Sequence, residues 1–231
     1  MMKFFRFVLG WCVILLLLLG SVRLNVFQTS FYESFYKKEG LAEQIGVSEE
    51  DLNKSMRVML DYVQGKRKDM EDTIFRNGKE TGIYNGKEKA HMGDVRALYR
   101  NAMRVLAGSF IVGIVIVVWM AVMLKDKNRL LANVCSGLLS ASLCFAIVLA
   151  WIGLWIATDF NDFWIRFHHL FFFNDLWLLD PATDFMIVIC PENMFSALVT
   201  RIVLLFVVVL GVLDGLAYFL LKRKLPIGSE K

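Results

Sequence analysis

Four apolar runs, each long enough to cross a membrane, constrain what this chain can fold into. They cover residues 7–22, 105–124, 130–157 and 198–221. A helix needs about 20 residues to cross a hydrocarbon core of about 30 Å. The runs lack the alternation of barrel strands, and lipid cannot satisfy exposed backbone polar groups, so we expect helices. The sequence therefore predicts a mainly α, polytopic integral membrane protein with four transmembrane helices.

The first run also resembles the apolar part of a signal peptide, because Lys3 and Arg6 precede it. No cleavage site of small residues follows it, and the next residues are Arg23, Leu24 and Asn25. We therefore expect residues 1–22 to form a retained first transmembrane helix.

Positive charge predicts the orientation of the spans, because short loops rich in lysine and arginine face the cytoplasm. Three basic clusters fall on one side of a four-span topology: Lys3 and Arg6; Lys125, Lys127 and Arg129; Lys222, Arg223 and Lys224. We expect a multi-pass cell-membrane protein with cytoplasmic N- and C-termini. Residues 23–104 would form a small extracytoplasmic domain, and residues 158–197 an extracytoplasmic interfacial segment. Since the basic residues are divided among separate loops, we expect no nucleic-acid partner.

Local patterns predict the elements of the first extracytoplasmic segment. Ser48 begins an amphipathic helix that Gly65 can end. Residues 73–75 and 83–84 are predicted to pair as a hairpin. A further helix is expected from about His91 into the second span without a break, since no proline interrupts it before the lipid.

Aromatic residues favour the level of the lipid headgroups, and both outer segments contain many. The first group, read as an interfacial belt, is Phe27, Phe31, Tyr32, Phe35 and Tyr36. The segment 158–197 is too aromatic for a solvated loop and too polar for a fifth span. We expect an interfacial helix there, broken at Pro181 and again at Pro191, whose polar side lines an enclosed site.

The chain has three histidines, His91, His168 and His169, all in the predicted outer segments near membrane level. Histidine gives and takes protons near neutral pH, although a single histidine is more often a packing residue. Asp94 lies on the same helix face as His91 and either orients its ring or complements the helix start. If the segment after His168 is helical, Asp175 shares its face.

Other catalytic signatures are absent from the sequence. It has no GxSxG, SxxK or HExxH motif, and its four cysteines show no metal-binding or disulfide spacing. Asp214 in the fourth span marks either a helix contact or a water-filled cavity. Arg201 either reaches the headgroups or holds an anion. We expect acid–base chemistry with no cofactor and no metal.

Two longer stretches resemble a known family. Residues 88–95 contain a His-Met-x-Asp-Val box before the second span, and residues 167–177 contain a Phe-His-x-x-Phe-Phe-x-Asn-Asp-x-Trp box. A Leu-Asp-Pro run at 179–181 and a Pro-Glu-x-x-Phe run at 191–195 follow. Together with the topology, these boxes resemble the integral membrane family that contains the lipoprotein intramolecular transacylase of Gram-positive bacteria.

The resemblance implies an acyltransferase without a cofactor, acting on a diacylglyceryl-modified lipoprotein within membrane lipid. The reaction moves the sn-2 acyl chain to the α-amino group of the N-terminal cysteine and leaves the lyso form. It implies His91 and His168 as the catalytic residues, on the extracytoplasmic side. We assign His168 as general base and His91 as second acid–base or oxyanion donor, and the sequence alone leaves the opposite assignment open. His169 falls at a variable position and is expected to pack. The residues expected to support the site are Asp94, Asn174, Asp175 and Asp184.

Two other classes of function compete with this one. A non-enzymatic assembly or sensor protein would bind a partner through the outer domain and leave lipoprotein acylation unchanged. A small transporter is disfavoured, because the chain shows no paired repeats and little charge within the spans.

Overall fold

A computed structural model describes residues 1–224 of the chain. In chain order the elements are α1 (Met2–Val26), α2 (Thr29–Glu39), α3 (Leu41–Ile45), α4 (Glu49–Gln64), β1 (Thr73–Arg76), β2 (Lys79–Gly82), α5 (Gly86–Leu124), α6 (Lys127–Thr158), α7 (Phe160–Phe171), α8 (Phe185–Ile189) and α9 (Glu192–Lys224). Four of these helices, α1, α5, α6 and α9, are long and apolar enough to cross a membrane. The predicted mainly α fold with four spans is therefore confirmed.

The chain divides into two compact units. We call the first the span unit; it contains Met1–Arg23, Ala102–Thr158 and the chain from Thr200 onward. We call the second the site unit, because all three histidines fall within it; it contains Leu24–Asn101 and Asp159–Val199.

Small residues allow a close contact between α1 and α6 in the span unit. A Cβ added at Gly10 would lie 2.4 Å from the backbone oxygen of Gly137. One added at Gly137 would lie 2.1 Å from the backbone oxygen of Arg6. Membrane helices associate largely by packing, and small residues let their backbones approach. These two glycines therefore set the approach of α1 to α6.

Asp214 makes a helix contact in the span unit. The hydroxyl of Ser142 on α6 donates to its Oδ1 at 3.0 Å. A polar group in a hydrocarbon region needs such a partner. Of the two alternatives left open for Asp214, the structure thus favours the helix contact.

The helix predicted to begin at Ser48 is confirmed as α4. The Ser48 hydroxyl accepts from the backbone N–H of Asp51 at 2.9 Å, and Gly65 ends the helix with φ of 85°. The predicted apolar face is buried; it consists of Leu52, Met56, Met59, Leu60 and Val63.

The hairpin forms, but its predicted second strand at residues 83–84 is wrong. Asn77 and Gly78 both have positive φ, which makes a two-residue turn, so the returning strand begins at once with Lys79. Ile83 and Tyr84 are buried beyond the strand, and the Tyr84 hydroxyl donates to the backbone oxygen of Ser55.

The helix expected from about His91 begins earlier, at Gly86, and continues unbroken to Leu124. Asn85 and Glu88 cap its start reciprocally. The Asn85 side chain accepts from the Glu88 backbone N–H at 3.0 Å, and the Glu88 carboxylate accepts from that of Asn85 at 2.6 Å. This is a capping box, in which two helix-start donors find partners.

The interfacial helix predicted for residues 158–197 is shorter than expected. It ends at Phe171, well before Pro181, whereas the break at Pro191 is confirmed. Between Phe171 and α8, side chains bond to nearby backbone: Asn174 accepts from the N–H of Leu176, and Asp180 from that of Ala182. Such local bonds compete with helix formation.

Two aromatics of the predicted interfacial belt belong instead to the core of the site unit. Tyr32 and Tyr36 on α2 are buried. The Tyr32 hydroxyl donates to the backbone oxygen of Val26, and the Tyr36 hydroxyl donates to the backbone oxygen of Ile189. These hydroxyls tie α2 to the end of α1 and to α8.

Replacing Gly137 by alanine should destabilise the protein by about 1–3 kcal/mol, because the added methyl meets a backbone atom that cannot turn away. Gly153→Ala on the same helix is the matched control, since nothing lies within 4 Å of its added Cβ. Thermal unfolding in detergent measures both variants. Equal melting temperatures for the two would contradict the close α1–α6 contact.

Candidate active site

The fold brings together two histidines that are far apart in the sequence. His91 lies near the start of α5, and His168 lies in the last turn of α7. Their ring centroids are 6.1 Å apart, with the planes inclined by 33°. Both residues are buried, with 6% and 8% of their surface exposed. The two rings are close enough to contact one small group together.

Aromatic side chains surround the pair. Trp177 stacks on His168 at 4.9 Å, and Trp164 approaches the same ring edge-on at 4.8 Å. Phe172 contacts both imidazoles, at 5.2 Å from His91 and 5.6 Å from His168. An apolar environment of this kind disfavours a charged imidazole.

Burial lowers the pKa of both histidines. The pKa of His91 falls to about 4, first because of burial and then because of the nearby His168, while the charge of Asp94 opposes the shift. Burial also lowers the pKa of His168, and the backbone carbonyl of Trp164 opposes this. His91 precedes the apolar run of α5 that begins at Val105, so its ring lies outside the spanning segment. Both rings are therefore neutral at pH 7.

A backbone hydrogen bond fixes the tautomer of His168. Its Nδ1 lies 2.7 Å from the backbone oxygen of Trp164, one helical turn earlier. A carbonyl can only accept, so Nδ1 carries the proton and donates it. In the neutral ring Nε2 then has a free lone pair, which is the form a general base requires.

The Nδ1 of His91 has no hydrogen-bond partner although it is buried. Buried polar atoms are nearly always paired, and an exception in a native fold calls for an explanation. A nitrogen left open beside a second imidazole is able to bond a ligand that enters the site.

Asp94 contacts the segment after α7 rather than the ring of His91. Its Oδ2 accepts from the side-chain amide of Asn174 at 2.9 Å. Its charge still acts on His91 through space. The expected support from Asp94 and Asn174 thus takes the form of a bridge between α5 and the segment after α7.

The three remaining residues singled out in the sequence differ in exposure: Asp184 is buried, whereas Asp175 and His169 are exposed. Asp175 is exposed, because α7 ends before it and leaves it off the face of His168. Asp184 is buried and accepts from the Asn85 side chain and the Asp180 backbone, and the latter bond lowers its pKa most. His169 is exposed and meets Trp177 edge-on.

Glu88 is a polar residue of this region that sequence reasoning missed. It is 1% exposed and accepts from the backbone N–H of Met186 at the start of α8. Burial raises the pKa of its carboxyl group. Its signal in the sequence is the Asn-x-x-Glu capping pattern at residues 85–88.

A cavity of about 280 Å³ adjoins the histidines. Its walls are formed by Asp94, Ala97, Leu98, Asn101, Phe171, Phe172, Phe173 and Asn174. Neither imidazole forms part of the wall, but Phe172, which contacts both rings, does. Within residues 1–224 no group of three or more His, Cys, Asp or Glu side chains could hold a metal ion.

Comparison with known families identifies the chain. The profile of the family described as lipoprotein intramolecular transacylase Lit matches residues 7–195. The chain belongs to this family. It is accordingly a multi-pass membrane protein of an acyltransferase family, as the boxes around His91 and His168 predicted.

Solved structures agree with this assignment in fold. The membrane-integral lipoprotein intramolecular transacylase Lit from Bacillus cereus matches with a TM-score of 0.76 at 17% identity, over 97% of each chain. A variant of that protein with a histidine-to-arginine substitution matches with a TM-score of 0.71 at 16% identity, over 97% of this chain and 93% of the other. No curated protein sequence matches.

The buried histidines should make stability depend on pH. The pKa of His91 is 6.5 in the unfolded chain and about 4 in the fold, so the unfolded state binds more protons between these values. Stability should fall as pH drops from 6.5 to 4, by about 3 kcal/mol for this residue. His91→Asn should flatten the curve of melting temperature against pH. His169→Asn, which changes an exposed ring, should flatten the curve less than His91→Asn does, and equal slopes for all three proteins would refute the prediction.

Proposed function

We propose that the protein transfers an acyl chain within a diacylglyceryl-modified lipoprotein. The chain moves from the sn-2 glycerol ester to the α-amino group of the N-terminal cysteine, and the product is the lyso form. The observation that carries the mechanism is the pair of neutral imidazoles 6.1 Å apart, one of them with its Nε2 free to accept a proton.

The reaction needs a base because the nucleophile is mostly protonated. An α-amino group has a pKa near 7.7–8.0, so at pH 7 it is largely an ammonium without a lone pair. In the proposal His168 removes one proton through Nε2 while its Nδ1–H remains bonded to the Trp164 carbonyl. The free amine can then attack the ester carbonyl carbon.

The proton balance follows from the bonds made and broken. Attack forms the C–N bond and a tetrahedral intermediate, and its collapse breaks the C–O bond to glycerol. The nitrogen loses a second proton on becoming an amide, and the departing glycerol oxygen takes one up. One proton is therefore released overall, and no electron is gained or lost, so the proposed reaction requires neither a redox cofactor nor an acyl donor.

His91 has the second role in this proposal. With a pKa of about 4 it is neutral at pH 7 and has one ring N–H that can donate a hydrogen bond. The proposal uses its N–H to stabilise the oxyanion of the tetrahedral intermediate, while the proton that His168 has accepted passes to the leaving oxygen. The buried Nδ1 without a partner supports this role.

The proposal also includes an orientation in the cell membrane. The basic clusters at the start of α1, at the junction of α5 with α6 and at the end of α9 would face the cytoplasm, together with both termini. The histidines would then act on the extracytoplasmic side, with the substrate's acyl chains held in membrane lipid.

Replacing either His91 or His168 by asparagine should reduce conversion of diacylated lipoprotein to the lyso form by about 100-fold or more, since general acid–base catalysis contributes this much. His169→Asn, whose ring is exposed, serves as the control and should retain most activity. Expression in a host with diacylated lipoproteins, followed by mass spectrometry of the N-terminal peptide, measures the outcome. Retained activity in both variants would exclude histidine catalysis, and no lyso form with the unaltered protein would exclude the function.

Cysteines introduced one at a time test the orientation. A cysteine at exposed Lys66 should react with a membrane-impermeant maleimide on intact spheroplasts, and one at Lys127 only after the membrane is broken. The unaltered protein gives the background from its own four cysteines. The reverse pattern of labelling would overturn the orientation.

A further inference from the structure

The cavity beside the histidines has one wall formed by a single face of α5. Asp94, Ala97, Leu98 and Asn101 are spaced three and four residues apart, so they lie on the same side of the helix. Residues 171–174, which follow α7, form the opposite wall. The cavity therefore combines aromatic and aliphatic side chains with a carboxylate and two amides at fixed positions.

Asp94 is the one charged side chain on this wall among the described residues. Its partner is the neutral amide of Asn174, and no lysine or arginine within residues 1–224 forms an ion pair with it. A carboxylate has about four acceptor positions, so one amide bond leaves most of its capacity unused. A wall with this charge favours a cationic ligand over a neutral or anionic one.

The position of Asp94 places such a ligand beside the imidazoles. His91 and Asp94 are three residues apart on the same helix, and the Asp94 charge acts on the His91 ring. Phe172, which contacts both imidazoles, lies on the cavity wall with Asp94. A cation held by Asp94 is thus next to the groups proposed to move protons.

We infer that Asp94 is the binding site for the α-ammonium group of the substrate's N-terminal cysteine, with Asn174 holding the carboxylate in place. The inference rests on the proposed function, in which this ammonium is the cation nearest the reacting ester. A hydrogen bond between two charged groups is shorter and stronger than a neutral one, so an ionised carboxylate suits this task. After deprotonation the amine still has N–H groups to donate, so the contact persists as the nitrogen attacks.

The test compares two inert analogues of the substrate. Both carry ether-linked alkyl chains that cannot be transferred; one has the free α-amino group, and the other lacks it. The unaltered protein should bind the amine-bearing analogue about 10-fold more tightly or better, as inhibition of lyso-form production in detergent would measure. Asp94→Asn should remove this preference and leave affinity for the analogue without the amine unchanged.

Two further variants separate ammonium binding from a purely structural role. Asn174→Ala removes the bridge but keeps the carboxylate, so the preference for the amine should weaken and not disappear. If Asp94 acted only through this bridge, Asn174→Ala would lose the preference for the amine, as Asp94→Asn does. Asp61→Asn on α4 is the control for loss of an exposed carboxylate, and should change neither affinity. Melting temperatures verify that each variant is folded.

The pH dependence of kcat gives an independent measurement. A carboxylate raises the pKa of an ammonium bound beside it, so Asp94→Asn should move the amine-dependent rise of kcat to lower pH. If the unaltered protein forms lyso product but does not distinguish the analogues, or if Asp94→Asn still prefers the amine, the inference is wrong. If the unaltered protein forms no lyso product, the proposed function itself fails.

Discussion

The start of α5 is the constraint on which the geometry of the site depends. The buried Glu88 carboxylate accepts the backbone N–H of Met186 as well as that of Asn85. Asp184 adds a further hydrogen bond, which its carboxylate accepts from the Asn85 side chain. These bonds hold the segment between α7 and α8 against the helix turn that precedes His91. Because the same segment begins at Phe172, one helical turn after His168, these bonds also set where the second imidazole lies.

Burial then gives the two rings their chemical state. Each lies among aromatic side chains, and desolvation is the largest cause of the lowered pKa in both. A charge on one imidazole would also disfavour a charge on the other, since the rings are 6.1 Å apart. The fold therefore loses stability in acid but has two neutral imidazoles at the pH where the proposed reaction occurs. Stability and function are linked through the same desolvation.

Local rules predicted those parts of the molecule that local forces determine. The four spans follow from apolar length alone, and α4 follows from Ser48 and Gly65, whose caps need only neighbouring residues. The segment after His168 was predicted incorrectly because Asn174 and Asp180 bond to nearby backbone instead of extending the helix. Glu88 was missed because its importance depends on Met186, which is distant in sequence. The boxes predicted His91 and His168 as the site residues, but they could not show that Asp94 bonds Asn174.

The proposed proton transfer is uphill, and the size of that cost decides what else the site must supply. A base with a pKa below 6.5 takes a proton from an amine near 8 at a cost of at least about 2 kcal/mol, and a carboxylate beside the ammonium adds to this cost. Holding two reacting groups of one molecule in contact contributes about 7–11 kcal/mol. The free energy that alignment contributes is therefore several times the free energy that the proton transfer costs. A site that fixes the ammonium with Asp94 can therefore lose basicity at His168 and still accelerate the reaction.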